Sequence, residues 1–595
     1  MAQTAAEKKT PSRFIWLWEN MKGFRGIYAL GLLFTIAYNA MQLTVPLVSG
    51  RIVDEFLTGE NAAQNLELHR DLFYKLIIAM VGITLLRVII VYTDQMIYEH
   101  VSQSVLYKIR NFLYDKIQRQ DMTFYSRYRT GDIMTRVTGD LDAVRHMIAW
   151  VIRVIIESFS LFGAVAFYFF TVNVKMALSL LVIAPFVFII IFRFRKSVAP
   201  MHAKLREKLA GMNTIAQENI SGNRVVKAFT REDYEIEKFD VANTDYRDTN
   251  KATALVWIKY YPFVESFANL MPLTMLFVGG GFLISGELSM GEYVSISGLI
   301  WALANPMRMM GNIMNEFQRF KAASAKVMEI YYSEPQIKDA PDAIELKERL
   351  KGKIEFKNVS FQYEDGNLPV LKNISFTASP GETIAIMGET GCGKSSLIHL
   401  IPRFYEPTEG EILIDDMPVE KIKLENLRKN IGLATQDVLL YSDSIEGNIA
   451  YGDSHIKLEE VVKFARYSAA DDFIAKMPEG YDTIIGERGV GLSGGQKQRL
   501  SLARALAVRP SILILDDTTS AVDLETEKRI QEALSQLDFE CTKLIIAQRI
   551  STSRKADRIM ILKDGRILEE GSHDELVGKN GYYSELVRLQ EGISE

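Results

Sequence analysis

The chain has 595 residues, a formal net charge of −5 and two cysteines, Cys392 and Cys541. That length leaves room for several domains and excludes a small scaffold held by disulfides, while two cysteines suit a reducing, cytosolic face. The mildly acidic balance offers no basic field, so no nucleic-acid partner is expected.

The N-terminus, MAQTAAEKKTPSRF, has no apolar stretch followed by a small-residue cleavage site, so no cleaved signal peptide is expected and residues up to Thr10 read as a tail. PSRFIWLWENMKGF interleaves aromatic and basic residues and predicts a helix lying along the cytoplasmic interface. Residues 26–50 carry no charge, and at about 1.5 Å per residue they cross a roughly 30 Å hydrocarbon layer as a helix. Comparable stretches at 72–97, 158–174, 176–192, 266–286 and 293–307 bring the predicted spans to six. Repeated apolar runs of this length exceed what the core of a soluble protein uses, so a lipid bilayer is the expected surrounding.

The connections fix an orientation. Spans two and three are joined through Lys108, Arg110, Lys116, Arg119, Arg127, Arg129 and Arg136; spans four and five through Arg195, Lys196, Lys204, Arg206, Lys208, Arg224, Lys227 and Arg231. Such an excess of Lys and Arg marks the cytoplasmic side. The opposite loops are acidic (Asp54, Glu55, Glu60, Glu67), tight (TVNVK) or free of basic residues (GELSMGE), so both termini are expected in the cytoplasm. No organelle transit pattern precedes the first span, which favours a plasma (inner) membrane. The long basic connections have helical periodicity, predicting helices that run past the bilayer and fold back as hairpins. Arg87, Asp94, Arg153, Glu157, Glu265 and Arg308 lie within or near spans, where ionisable groups either line a pathway or pair with one another. NPMRMMGNIMNEF either packs the sixth span or adapts to varied apolar cargo, and the breakers in NLMPLTMLFVGGG soften the fifth span.

Past the polar stretch SEPQIKDAPDAIELKERLKG the pattern changes to short strand-like runs (KIEFKNVSF, ETIAIMG, EILIDD, SILILDD, KLIIAQ) alternating with helices. The expected organisation is an all-α six-helix transmembrane domain over residues 1–325, a linker at 326–350, and an α/β P-loop nucleotide-binding domain over 351–595. Gly388, Glu389, Thr390, Gly391, Cys392, Gly393, Lys394, Ser395 and Ser396 follow a strand and open a helix. In that setting successive backbone N–H groups wrap phosphates, Lys394 reaches the outer phosphates and Ser395 holds Mg²⁺. Residues 512–516 form an apolar strand ending in Asp516, the second half of a Mg²⁺-nucleotide site. Between them stands Leu492 with Ser493, Gly494, Gly495 and Gln496, followed by KQRLSLARALAV.

On these motifs the second half resembles the nucleotide-binding domain of an ABC transporter, with LSGGQ as its signature, and the whole chain resembles an exporter half-transporter of the multidrug-resistance type. The resemblance implies that Tyr363 stacks adenine and that Gln436 senses Mg²⁺. It places Gly486, Glu487, Arg488 and Gly489 just before the signature, and Ser520, Ala521, Val522 and Asp523 after the Walker B strand. FYSRYRTGDIMTRVTGDLDAVR and AGMNTIAQENISGNRVVKAFTRED resemble the family's cytoplasmic loops, which puts coupling turns near 129–132 and 211–217.

Two positions depart from the family pattern. Where a catalytic Glu follows Asp516 the chain has Asp517, and where a His precedes the Arg of IIAQRIS it has Gln548. Aspartate is one methylene shorter, leaving its carboxylate about 1 to 1.5 Å short of a water that a base contacts at about 2.6 to 3.2 Å. Gln548 donates a hydrogen bond to the γ-phosphate but carries no charge. ATP is therefore expected to bind and persist. The resulting expectation is the degenerate half of a heterodimeric exporter, with a second, different half-transporter supplying the Glu and the His and receiving this chain's LSGGQ. Hydrophobic or amphipathic compounds are the expected cargo. A homodimeric lipid or peptide exporter, or an ATP-gated regulatory membrane protein, remains the alternative. Cys392 is either a modifiable thiol or an inert filler.

Overall fold

The computed structural model describes residues 11–58, 62–364, 366, 368–486, 489–518 and 520–591. The tail up to Thr10, Glu60, Glu487, Arg488 and the side chains of Arg195 and Arg308 lie outside the described residues. The chain divides into two compact units, one of Met1–Gln118 with Thr130–Ser333, the other of Arg119–Arg129 with Glu334–Glu595.

The first unit is helical. A short amphipathic helix, Arg13–Asn20, is capped by the Ser12 hydroxyl; it buries Trp16 and Leu17 and exposes Phe14, Ile15 and Trp18. Long helices follow at Arg25–Ile52, Arg70–Gln118, Ile152–Val172, Ile183–Ser221, Glu232–Thr274 and Met290–Tyr332. Among the described residues four helical stretches are long and apolar enough to cross a membrane: Arg25–Leu57, Arg70–Gln118, Thr130–Val172 and Glu232–Ile284. The remaining two predicted spans lie in the helices from Val174 to Ser221 and in Met290–Tyr332. Asn173 forms the tight link between spans three and four, its side chain accepting from the Met176 N–H at 3.0 Å. After Pro272 the fifth span loosens into the π-helical turn Met275–Gly279.

The apolar window of Arg70–Gln118 is 0% buried, with Leu85 and Ile89 more than half exposed. Water around such a face would cost about 25 cal/mol per Å², whereas hydrocarbon removes that cost. Leu161, Val165, Phe169, Met176, Leu180, Met271, Ile296 and Leu299 form an inward core. Helices Arg25–Ile52 and Met290–Tyr332 touch backbone to backbone, since a Cβ on Gly291 would sit 2.1 Å from the Gly50 carbonyl oxygen. Asp54, read from sequence as a loop charge, accepts from the Ser289 hydroxyl and the Gly291 N–H, each at 2.6 Å, and so caps the sixth span. Within the spans Arg153 lies 3.8 Å from Asp94 and 3.6 Å from Glu157, and Thr35 donates to Asp94 at 3.0 Å.

Of the turns expected near 129–132 and 211–217, the first falls beside a break at 128–129 between the helices Met122–Arg127 and Thr130–Val137, whereas the second meets no break. The short helix near the first is Met122–Arg127, and it belongs to the second unit. Asp121 caps it and also accepts from the Gln336 and Ile337 N–H groups, while Arg127 pairs with Glu364 at 3.0 Å. Residues 211–217 sit inside the unbroken helix Ile183–Ser221, and the chain reverses beyond it, around Asn223–Ala228. An interior glycine such as Gly211 weakens a helix by only about 1 kcal/mol and does not by itself end it. The last helix of the first unit also continues past residue 325, to Tyr332.

The second unit holds two sheets. Strands β1 (Ile354–Phe361), β2 (Leu371–Ala378), β4 (Glu409–Ile414) and β5 (Met417–Pro418) make an antiparallel sheet in the order β2-β1-β4-β5. Strands β3 (Thr383–Met387), β6 (Ile431–Ala434), β7 (Ile512–Asp516), β8 (Thr542–Ile546), β9 (Arg558–Lys563) and β10 (Arg566–Gly571) are ordered β10-β9-β3-β8-β7-β6. All pairs from β9 to β6 are parallel. Their apolar side chains are buried on both faces, as a sheet covered by helices requires.

Candidate nucleotide site

Parallel strands send their carboxyl ends to one edge of the sheet, where ligands of open α/β sheets bind. Here β3 leads into residues 388–396, β8 into Gln548, β7 into Asp517 and β6 into Gln436, on four adjacent strands. Sequence-distant residues are thereby gathered at one place.

The 388–393 loop turns on glycines at φ 146° (Gly388), 85° (Gly391) and 104° (Gly393), conformations closed to other L-residues without strain. A Cβ on Gly388 would lie 2.1 Å from the Leu562 carbonyl oxygen. The Lys394 ammonium donates to the carbonyls of Gly388 at 2.9 Å and Glu389 at 2.7 Å, which bends its stem back over the loop. Cys392 is buried, its sulfur 3.8 Å from that ammonium.

Asp516 is buried, and burial raises its carboxyl above the usual range; the Ser395 hydroxyl, His399 and Lys394 pull it back. Asp517 is likewise raised by burial and by Asp516, against Ser520, Arg549 and Lys394. A hydroxyl and a carboxylate converging beside the phosphate loop are hard oxygen donors of the kind Mg²⁺ takes.

The two departures from the family pattern meet each other. Gln548 Nε2 donates to Asp517 Oδ2 at 2.6 Å, so the carboxylate already has a fixed donor. Asp517 also adopts φ 49°, a left-handed backbone that turns it out of line with β7. The loop after it is held from two sides. Buried Gln498, on the helix Gly494–Ala507, donates to the Asp517 carbonyl and to the Ser520 hydroxyl, both at 3.3 Å, and accepts from the Ala521 N–H at 3.2 Å. Arg549 donates to the carbonyls of Ser520 and Val522 and pairs at 2.8 Å with Glu527, which also accepts from Thr552. Gln498 was not singled out from sequence, although it occupies an otherwise apolar helix face with Leu502 and Ala505, a pattern that signals a satisfied buried amide.

Tyr363 packs edge-on against Phe361 and Tyr405, and its hydroxyl shares a 2.9 Å hydrogen bond with Ser396 at the start of the phosphate-loop helix. Gln436 is exposed two residues past β6, in a turn where Thr435 donates to the Asp437 carbonyl. Ser493 caps Gly494–Ala507 in a reciprocal box: its hydroxyl accepts from the Gln496 N–H at 3.3 Å, and its own N–H donates to the Gln496 side chain at 2.8 Å. Gly495 is needed there, since a Cβ would lie 2.7 Å from the Ala521 carbonyl oxygen.

In the first unit, helices Ile152–Val172, Ile183–Ser221 and Met290–Tyr332 border an open cavity of about 620 Å³ lined by Phe159, Phe162, Ile189, Met310, Met314 and Phe317 among others. Ser158 is its one polar lining residue among the described side chains.

Long lipid-facing helices joined to an α/β unit with a glycine phosphate loop and an LSGGQ-capped helix define a membrane transporter powered by nucleotide. The family comparisons agree: residues 28–307 match the ABC transporter transmembrane region and residues 371–520 the ABC transporter family. The chain is 36% identical to the uncharacterized ABC transporter ATP-binding protein YknU of Bacillus subtilis (strain 168), over 95% of both chains. It is 36% identical to an ATP-dependent lipid A-core flippase of Syntrophus aciditrophicus (strain SB), over 84% of this chain and 82% of that one. It is 34% identical to the putative multidrug export ATP-binding/permease protein YgaD of Bacillus subtilis (strain 168), over 93% and 94%. A solved bacterial Atm1-family ABC exporter with ATP bound superposes with a TM-score of 0.80 at 26% identity, covering 96% of this chain and all of that one. This chain belongs to the ABC transporters and has the exporter fold: a membrane protein with an ATP-binding domain.

Proposed function

We propose that the chain is one half of a heterodimeric ABC exporter that moves hydrophobic or amphipathic compounds across the plasma membrane, its own nucleotide site binding ATP tightly and hydrolysing it slowly. The observation that carries this is the 2.6 Å bond from Gln548 to Asp517. A carboxylate already short of the attacking water is occupied by one N–H of an amide, which leaves the second N–H of that amide for a phosphate.

The binding parts support grip without turnover. The N–H groups of 388–393 and the Lys394 ammonium would hold the phosphates, Tyr363 would meet the base, and Ser395, Asp516 and Gln436 would hold Mg²⁺. Bound there, Mg²⁺ supplies charge neutralisation between the outer phosphates. Ser493, Gly494, Gly495 and Gln496 serve the partner's ATP. The apolar cavity around Phe159 and Met314 suits uncharged or amphipathic cargo, and the multidrug-export name of one relative points the same way.

The test is to purify the full chain alone and with its co-expressed partner, reconstitute both, and measure ATP turnover and cargo uptake. The expected outcome is tight ATP binding with little turnover for the lone chain and cargo-stimulated turnover for the pair. Lys394→Ala is expected to weaken ATP binding at this chain's site about ten- to a hundredfold while turnover at the partner's site survives in part. Vigorous transport by the lone chain defeats the heterodimer reading, and lipid-stimulated rather than drug-stimulated turnover defeats the cargo reading.

A further inference from the structure

The last described helix, Tyr582–Glu591, touches the nucleotide site at both ends. At its start the Tyr582 hydroxyl donates to Glu389 Oε1 at 3.0 Å, on the phosphate loop whose Glu389 carbonyl is held by Lys394. About 12 Å further along the helix, Gln590 meets the loop that carries Gln548. Its Oε1 accepts from the Ile550 N–H at 2.9 Å and its Nε2 donates to the Gln548 carbonyl at 3.0 Å, so one amide brackets the backbone on either side of Arg549. Between these ends the helix is anchored: Tyr583 and Val587 are buried with Ala385, Met387, Ala547 and Ile550, and the Tyr583 hydroxyl meets His573 at 2.8 Å. Half-buried Tyr582 and exposed Gln590, on one helix, thus reach two separate loops of the nucleotide site.

We infer that the C-terminal helix is a strap across this chain's nucleotide pocket, in which Gln590 positions Gln548 toward the γ-phosphate and Tyr582 positions the phosphate loop. Both are positioning residues, acting through Gln548 and Glu389. The inference rests on residues 388–396 being the phosphate cradle but not on the dimer's composition. Its consequence is selective. Gln590 governs the group that distinguishes ATP from ADP, and Tyr582 governs a loop that both nucleotides share.

The test is equilibrium binding of fluorescent ATP and ADP, with Mg²⁺, to the full chain in nanodiscs, with thermal unfolding recorded in parallel. Gln590→Ala is expected to weaken ATP about fivefold while changing ADP less than about twofold. Gln590→Glu keeps the acceptor for Ile550 and loses the donor to Gln548, and is expected to fall midway. Tyr582→Phe is expected to weaken both nucleotides alike, by about threefold. Equal losses of ATP and ADP in Gln590→Ala, unchanged binding, or losses that simply follow a lowered unfolding temperature overturn the strap. Lys394→Ala separates the premise: if it leaves ATP binding intact, the cradle assignment fails and takes the strap with it.

Discussion

The two units of this chain put their apolar side chains in opposite places. In the second unit Ile384, Ile386, Ile512, Ile514 and Leu544 are fully buried in the parallel sheet, whereas along Arg70–Gln118 of the first unit no residue of the most apolar window is buried. The same aliphatic residue is thus a core element in one unit and a solvent-matching element in the other, because the medium outside differs. Charge follows the same division. Glu527 of the second unit is held at 2.8 Å by Arg549 and also by Thr552, while Arg153 of the first stands 3.6 and 3.8 Å from its two carboxylates.

The sharpest way to break that comparison is a matched truncation. Ile514→Ala is expected to destabilise the second unit by about 2–5 kcal/mol, and Leu85→Ala in the first to change stability by less than about 0.5 kcal/mol in a lipid-like detergent. Thermal unfolding of the two full-length variants checks this, and equal shifts would mean that the Leu85 face packs on protein. A smaller effect is expected at the charge cluster. Arg153→Ala leaves buried Asp94 beside Glu157 without a cation and is expected to cost about 2 kcal/mol, with Arg153→Lys recovering most of it. Unfolding yields in detergent read that order, and an undisturbed Arg153→Ala protein would show that the carboxylates are satisfied without it. The smallest effect is expected at the exposed Arg51–Glu55 pair, one helical turn apart at 2.7 Å, where Arg51→Ala should cost no more than about 0.5 kcal/mol.

Much of this architecture is legible in the sequence where the signal is local. Uncharged runs announce membrane helices because each residue faces the same medium, and 388–396 announces its loop because three glycines, a lysine and a serine must stand at fixed short spacing. Strands β2, β6, β9 and β10 were not among the runs singled out, since KNISF and GRILEE alternate weakly and gain their burial only from neighbours far along the chain. The turn expected at 211–217 was misplaced because Gly211 and Gly222 look alike in sequence, and helix continuation is decided by surroundings rather than by the residue. Tyr363, Asp516, Asp517 and Gln548 could be named singly. Their pairings could not: Asp517 with Gln548, Tyr363 with Ser396 and Gln590 with the Gln548 loop each join segments that only the strand order brings together.

The reciprocal cap at Ser493 has one more chemical outcome. An oxygen that receives an N–H on one side has its lone pair engaged and its own hydrogen swung to the other, and the polarisation makes that hydrogen more acidic. The serine of LSGGQ is thus wired as a giver, ready for an anion arriving end-on to its helix, before any nucleotide is in reach.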